Sequence, residues 1–282
     1  MRCSPAVGTR LANMFGLRQT PKLLGAKLHK RPPYTIPFFF DFLVVAGGGG
    51  GAGISGGVGG GSGAGAGGYR NFTNQTLYEN SYSIVVGAGG ATAQTLGPSG
   101  NISSAFTYSS AGGGGGVTAG YDGVAGGSGS GSAGAQITPG AGNTPSVSPS
   151  QGNAGGASQA AGVYTAGAGG GASAVGANGA GASTSAGGAG TANSISGSSV
   201  TYSIGGNGAQ YFGAQNGAAA VGYGSGGSGG SASPQGTPSA GNDGIVIIRY
   251  TGKQIATGGT VTTSGGYTIH TFTASGTFAY TG

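Results

Sequence analysis

The chain is short of charge. Only 5% of its 282 residues are Asp, Glu, Lys or Arg, and the carboxylates number four: Asp41, Glu79, Asp122 and Asp243. It has one cysteine (Cys3), two histidines (His29, His270) and no tryptophan. A single cysteine excludes an intrachain disulfide, and with two histidines it leaves a Cys/His metal site without ligands. Four scattered acids supply no carboxylate pair for glycosidic cleavage. No Lys lies between Arg31 and Lys253, so glycine-rich loops have no phosphate-binding lysine. No apolar run is long enough to span a bilayer. Proline, at 11 residues, is too rare for collagen's Gly-X-Y repeat. These shortages exclude a conventional enzyme, a cofactor site and membrane insertion from the expectations; no cofactor is expected.

What is abundant is glycine, with 73 residues, against about 7% in ordinary proteins. Interior glycine costs a helix about 1 kcal/mol relative to Ala, so a helical protein is disfavoured. Charge-rich disorder is disfavoured too, because hydrophobic residues reach 36%. Both charge and glycine are unevenly placed. Seven of the ten basic residues fall within the first 31 positions, and residues 1–46 hold three glycines. The body therefore carries three cations and four acids, which is no surface for nucleic acid.

The basic segment reads as a short helix. Ser4-Pro5 resembles a cap followed by an N1 proline, and Val7, Leu11, Met14, Phe15 and Arg18 fall on one helical face. Three readings of it stand: a solvated tail, a targeting segment, and a docking peptide with Leu11, Met14, Phe15 and Arg18 as its anchoring face.

Beyond it, Phe38–Ala46, Ser81–Gly87 and Gly244–Tyr250 read as strands, nearly continuous in apolar character and so covered on both faces. Pairing the first with the third closes the domain. The tracts between them, such as 112–116, 126–131 and 167–190, show neither helical nor strand periodicity. With almost no charge to keep them solvated, they are expected to form a polyglycine II bundle, glycine allowing backbones to touch. Two similar stretches, Ser103–Gly112 and Ser196–Gly205, are each expected to form a short strand or hairpin. Gly258–Phe278 reads as a β-hairpin around Ser264-Gly265-Gly266, with Ile269 on one face and His270, expected at the surface, on the other. The expected fold class is thus mainly irregular/β. A polyglycine II helix bundle, or glycine-rich sandwich, is framed by short strands, with a C-terminal hairpin and a short N-terminal helical segment. The expected domains are 1–37, 38–252 and 253–282.

Phe42–Ala46 with its five glycines, Gly67–Arg70, Tyr82–Gly89, Gly244–Tyr250 and the Gly258–Phe278 hairpin together resemble the glycine-rich domain of bacteriophage tail-fibre and adhesin proteins. The resemblance implies a virion protein, a tail fibre or tail-tip adhesin located on the particle surface. It implies docking to other virion proteins, tail or capsid, through the N-terminal segment, contact with a host-surface receptor or glycan, and a homo-oligomer. Tyr121, Tyr164, Tyr211 and Phe212, aromatics in glycine loops, are the candidates for that contact; loop packing is the competing account of each. The alternative function is a capsid-decorating fibre or self-polymerising filament without receptor binding, in which the terminal strand of one copy pairs beside the first strand of the next.

Overall fold

The computed structural model describes residues 37–53, 59–134, 138–159, 165–181, 183–210, 217, 221–233 and 235–281. The chain divides into two units, Met1–Thr35 and Ile36–Gly282, and the first lies outside the described residues. In the second, β1 (Phe38–Val45) is the organising strand. Its side chains alternate across the sheet with the period of two that a strand imposes. Phe40, Phe42 and Val44 face one way, Leu43 and Val45 the other, and all are buried. β8 (Ile245–Thr251) pairs antiparallel with it, Val44 opposite Val246 and Phe42 opposite Ile248. The two ends of the glycine region are thereby joined, as the apolar runs predict.

Three antiparallel sheets result. The first has the order β10-β11-β8-β1-β2, adding β10 (Thr260–Ser264), β11 (Tyr267–Phe272) and β2 (Tyr69–Leu77). The second has the order β5-β4-β3-β12-β9, with β3 (Asn80–Val85), β4 (Ser103–Ala105), β5 (Tyr108–Ser110), β9 (Ala256–Thr257) and β12 (Gly276–Tyr280). Between these two lies an aromatic core of Phe40, Phe42, Ile84, Ile248, Tyr250, Phe272, Phe278 and Tyr280. The opposite face of the first sheet buries Leu43, Val45, Ile245, Ile247 and Ile269 against Ile195 and Tyr202. Tyr202 belongs to the third sheet, the hairpin of β6 (Thr191–Asn193) and β7 (Val200–Tyr202). Both faces of β1 and β8 are covered, and each fully buried side chain of this size contributes about 1.5–3 kcal/mol. The two similar stretches fold as expected: Ser103–Gly112 contains the β4–β5 hairpin, and Ser196–Gly205 contains β7.

The expected fold class is corrected on two points. Among the described residues there is no helix of any type, and the regular structure is all β; the helical segment expected around Leu11, Met14, Phe15 and Arg18 lies outside those residues. The glycine tracts form neither helix nor strand, and a polyglycine II bundle is not shown. Their backbone groups find partners on neighbouring tracts, so no helical or ladder pattern is needed to satisfy them.

β1 has β2 and β8 on its flanks, and β12 has β3 on one side and, along Ala279 and Tyr280, β9 on the other. One further expectation gives way. His270 is fully buried, not at the surface. The reason is topological: β11 inserts beside β8 and β12 enters the second sheet, which closes the core over that face.

Candidate functional site

The glycine tracts carry the loops, and their geometry begins with residues 46–52. Successive N–H groups here serve three neighbours in rotation. Ala46 and Gly49 donate to the carbonyls of Gly68 and Gly65, Gly47 and Gly50 to those of Asn101 and Pro98, and Gly48 and Gly51 to those of Asn242 and Ser239. The carbonyls serve three more. Gly47 and Gly50 accept from Gly113 and Gly116, Gly48 and Gly51 from Gly90 and Ala93, and Gly49 and Ala52 from Gly227 and Gly230. One segment is thus bonded to six neighbours, at 2.8–3.3 Å. Backbones this close leave no room for a side chain: a Cβ on Gly50 would stand 1.8 Å from the Ala91 carbonyl oxygen, and one on Gly169 the same distance from that of Ala64.

Of the four loop candidates, Tyr121 is described and Tyr164, Tyr211 and Phe212 lie outside the described residues. Tyr121 follows a turn at Ala119-Gly120, its N–H donating to the Thr118 carbonyl, and its side chain is 47% exposed. Two bonds hold that turn. The Thr118 N–H donates to the Thr95 carbonyl, and the Asp122 carboxylate accepts the Thr138 N–H at 2.9 Å. The Gln159 N–H donates to the Thr165 carbonyl. Among the described residues, the loop candidate that the structure presents is Tyr121, on a pinned turn. Tyr223, 37% exposed, lies in a separate shallow groove with Gly222, Asn242 and Asp243.

Three of the four acids, Asp41, Asp122 and Asp243, have structural partners. Asp41 pairs with the Arg249 guanidinium at 2.8 Å, and its other oxygen accepts the Asn74 N–H at 3.0 Å. Asn74 has φ of 52°, where the register of β1 against β2 shifts between Phe40 and Phe42. Arg249 also lies 4.5 Å over the Tyr267 ring. Asp243 accepts the Gly89 N–H at 2.8 Å. Among the described residues no three His, Cys, Asp or Glu side chains stand together as metal ligands would.

Three features escape a reading of the sequence. The first is a cleft of about 280 Å³ lined by Phe40, Gln75, Tyr82, Phe106 and Tyr108, at the side where β2 and β5 approach. The second is Arg70, 6% exposed, whose Nη1 and Nη2 donate to the Ser109 and Ser148 carbonyls at 2.9 Å each. Its guanidinium sits 4.9 Å over the Phe72 ring, and burial pushes its pKa below the usual arginine range. The third is His270. Its Nδ1 lies 2.7 Å from the Gly258 carbonyl and its Nε2 3.0 Å from the Tyr250 hydroxyl. The Tyr250 oxygen also accepts the Ile255 N–H at 3.2 Å. The carbonyl requires a donor at Nδ1, and in the neutral imidazole Nε2 is then the acceptor for the Tyr250 hydroxyl. Burial holds its pKa below the ordinary value, an effect partly offset by the Gly258 hydrogen bond. Gly258 lies at the corner where the chain passes from the second sheet into the first, so His270 pins a sheet-switching turn.

The fold is therefore a β-sandwich that carries an array of backbone-bonded glycine segments. The glycine-rich domain family model matches residues 33–251, and the chain belongs to that family. No curated protein and no solved structure matches it. The family match stops short of β9–β12, although β11 and β12 are internal strands of the two large sheets.

Proposed function

We propose that the protein is a structural component of a bacteriophage particle, a tail fibre or tail-tip adhesin that binds the host surface. The single observation that carries the reading is the pairing of a charge-poor, backbone-bonded glycine array with a pinned loop exposing Tyr121. Such an array gives its interior no chemistry beyond rigidity, and leaves recognition to the loops at its ends. Exposed aromatic rings in those loops suit stacking on sugar rings or on apolar patches of a surface protein. Tyr164, Tyr211 and Phe212 belong to the same proposal. Leu11, Met14, Phe15 and Arg18 are proposed to dock the chain on other virion proteins.

The test is competition. Purified full-length protein, added to susceptible bacteria before the virus, is expected to lower adsorption in a dose-dependent way, and Tyr121→Ala to weaken that block. Undiminished adsorption at saturating protein would count against an adhesin and favour a decorating fibre without a receptor.

A further inference from the structure

The two large sheets have four outer strands, and three of them are blunted in the ways that prevent edge pairing. β9 has two residues and β5 three, too few to template another strand. β2 is kinked where its register against β1 shifts and Asn74 takes its positive φ. β10 has no such protection. Its five residues, Thr260-Val261-Thr262-Thr263-Ser264, contain no charge and no proline, pair with β11 in unbroken register, and are exposed except for half-buried Val261.

The direction of its unused backbone groups follows from the turn. Gly265 and Gly266 have φ of 57° and 82°, both positive as a two-residue type I′ hairpin demands. In such a hairpin the residues flanking the turn, Ser264 and Tyr267, form a hydrogen-bonded pair. Antiparallel ladders alternate, so Thr262 and Thr260 also bond to β11. The N–H and C=O groups of Val261 and Thr263 therefore point away from the sheet.

We propose that β10 is a self-association edge, along which a second copy of this chain pairs antiparallel about a two-fold axis at Thr262. The register sets Val261 against Thr263 of the second copy and the reverse, giving four backbone hydrogen bonds. The two five-stranded sheets become one. A two-fold contact brings each side chain against its own kind, which an edge carrying charge would resist. Here Thr262 meets Thr262 of the second copy as a close, non-hydrogen-bonded pair. Lys253 lines a groove at the hairpin tip with Thr263, Ser264, Gly265 and Gly266. The two-fold sends the two tips to opposite ends of the contact, which keeps the lysines apart. The contact is smaller than a standard interface of about 1,600 Å², so the dimer belongs to the weak, concentration-dependent class. The inference does not rest on the virion reading.

The test is sedimentation equilibrium of the full chain over a concentration series up to about 1 mM, the range in which weak complexes populate. Reversible dimer formation is expected. Thr262→Lys and Thr262→Glu place like charges face to face; each alone is expected to be monomeric with an unchanged melting temperature, and the two mixed are expected to associate again. A monomer throughout the series overturns the proposal, and so does a dimer that both variants leave intact. Failure of the mixed variants to associate overturns the two-fold at Thr262. If an added Thr/Val-rich strand peptide binds this edge while the protein itself stays monomeric, the occupant is another protein and self-association is wrong.

Discussion

A methyl group added at Gly169 would lie 1.8 Å from the Ala64 carbonyl oxygen, well inside van der Waals contact. That oxygen also accepts the Gly206 N–H at 2.9 Å, so moving it breaks a second bond. In an ordinary loop, Gly→Ala gains about 0.4–1 kcal/mol by restricting the unfolded chain. Here overpacking and lost hydrogen bonds dominate, and Gly169→Ala is expected to destabilise by about 1–3 kcal/mol or more. An unchanged melting temperature would mean that the segments do not touch. His270 gives a different readout at the same scale. Its imidazole has a lower pKa folded than unfolded, where the value is about 6.5. In the window between the two values the unfolded chain binds more protons, so stability rises with pH there. The contribution is fully present above about pH 6.5 and is lost as pH falls through the folded value. Urea midpoints are expected to drop from pH 7 towards pH 5, and to drop less in His270→Gln. Equal slopes in the two proteins would remove His270 from the account.

Strands are where the sequence speaks most clearly. β1 and β8 stand out because apolar, β-branched and aromatic residues run together and stop at glycine, and the β10–β11 turn because Gly265-Gly266 has one short-range meaning; β3 is found too, but it is covered on one face and not on both, with Ile84 buried and Ser81, Ser83 and Val85 exposed. β2 is not visible in this way. Asn71, Thr73, Asn74, Gln75 and Thr76 make it polar, and only its pairing with β1 and the Asp41–Asn74 bond make it a strand. The burial of His270 and Arg70 is equally silent, because each depends on partners outside its own strand: Tyr250 and Phe278 for the first, Ser109 and Ser148 for the second. Of the candidate site, Tyr121 was legible as an exposed loop aromatic. The Phe40–Tyr82–Phe106–Tyr108 cleft was not, since three strands and a turn must meet to form it. The family match ending at residue 251 makes a prediction at this scale. Removing β9–β12 strips β11 from β8 and β12 from β3, exposing Ile84, Ile248 and Tyr250. A chain ending at residue 252 is therefore expected to lose its cooperative melting transition and expose apolar surface to a hydrophobic dye. A sharp transition near that of the full chain would show that the matched segment folds alone.

At the scale of the whole Ile36–Gly282 unit, the question is how so much glycine is held in place. Fixing one residue's backbone costs about 1–2 kcal/mol, and glycine loses the most freedom of all. No glycine side chain offsets this by burial. The array has two sources of compensation: the hydrogen bonds each segment makes to several neighbours, and the sandwich that fixes the segment ends at Val45, Tyr69 and Ile245. Neither suffices in parts. A segment such as 46–52, bonded to six others, cannot loosen without leaving donors and acceptors unpaired on all of them, each at a cost of about 1–3 kcal/mol when buried. The array and the sandwich are thus expected to open together. Native-state amide exchange tests this directly. The N–H groups of Gly47–Gly51 are expected to be protected to the same free energy as those of Val44 and Ile247. Random-coil exchange at Gly47–Gly51 beside protected strands would uncouple the two layers. The loops would then be tethered by slack chain and not presented on a rigid support, and stacking by Tyr121 would lose the pre-organisation that makes it useful for recognition.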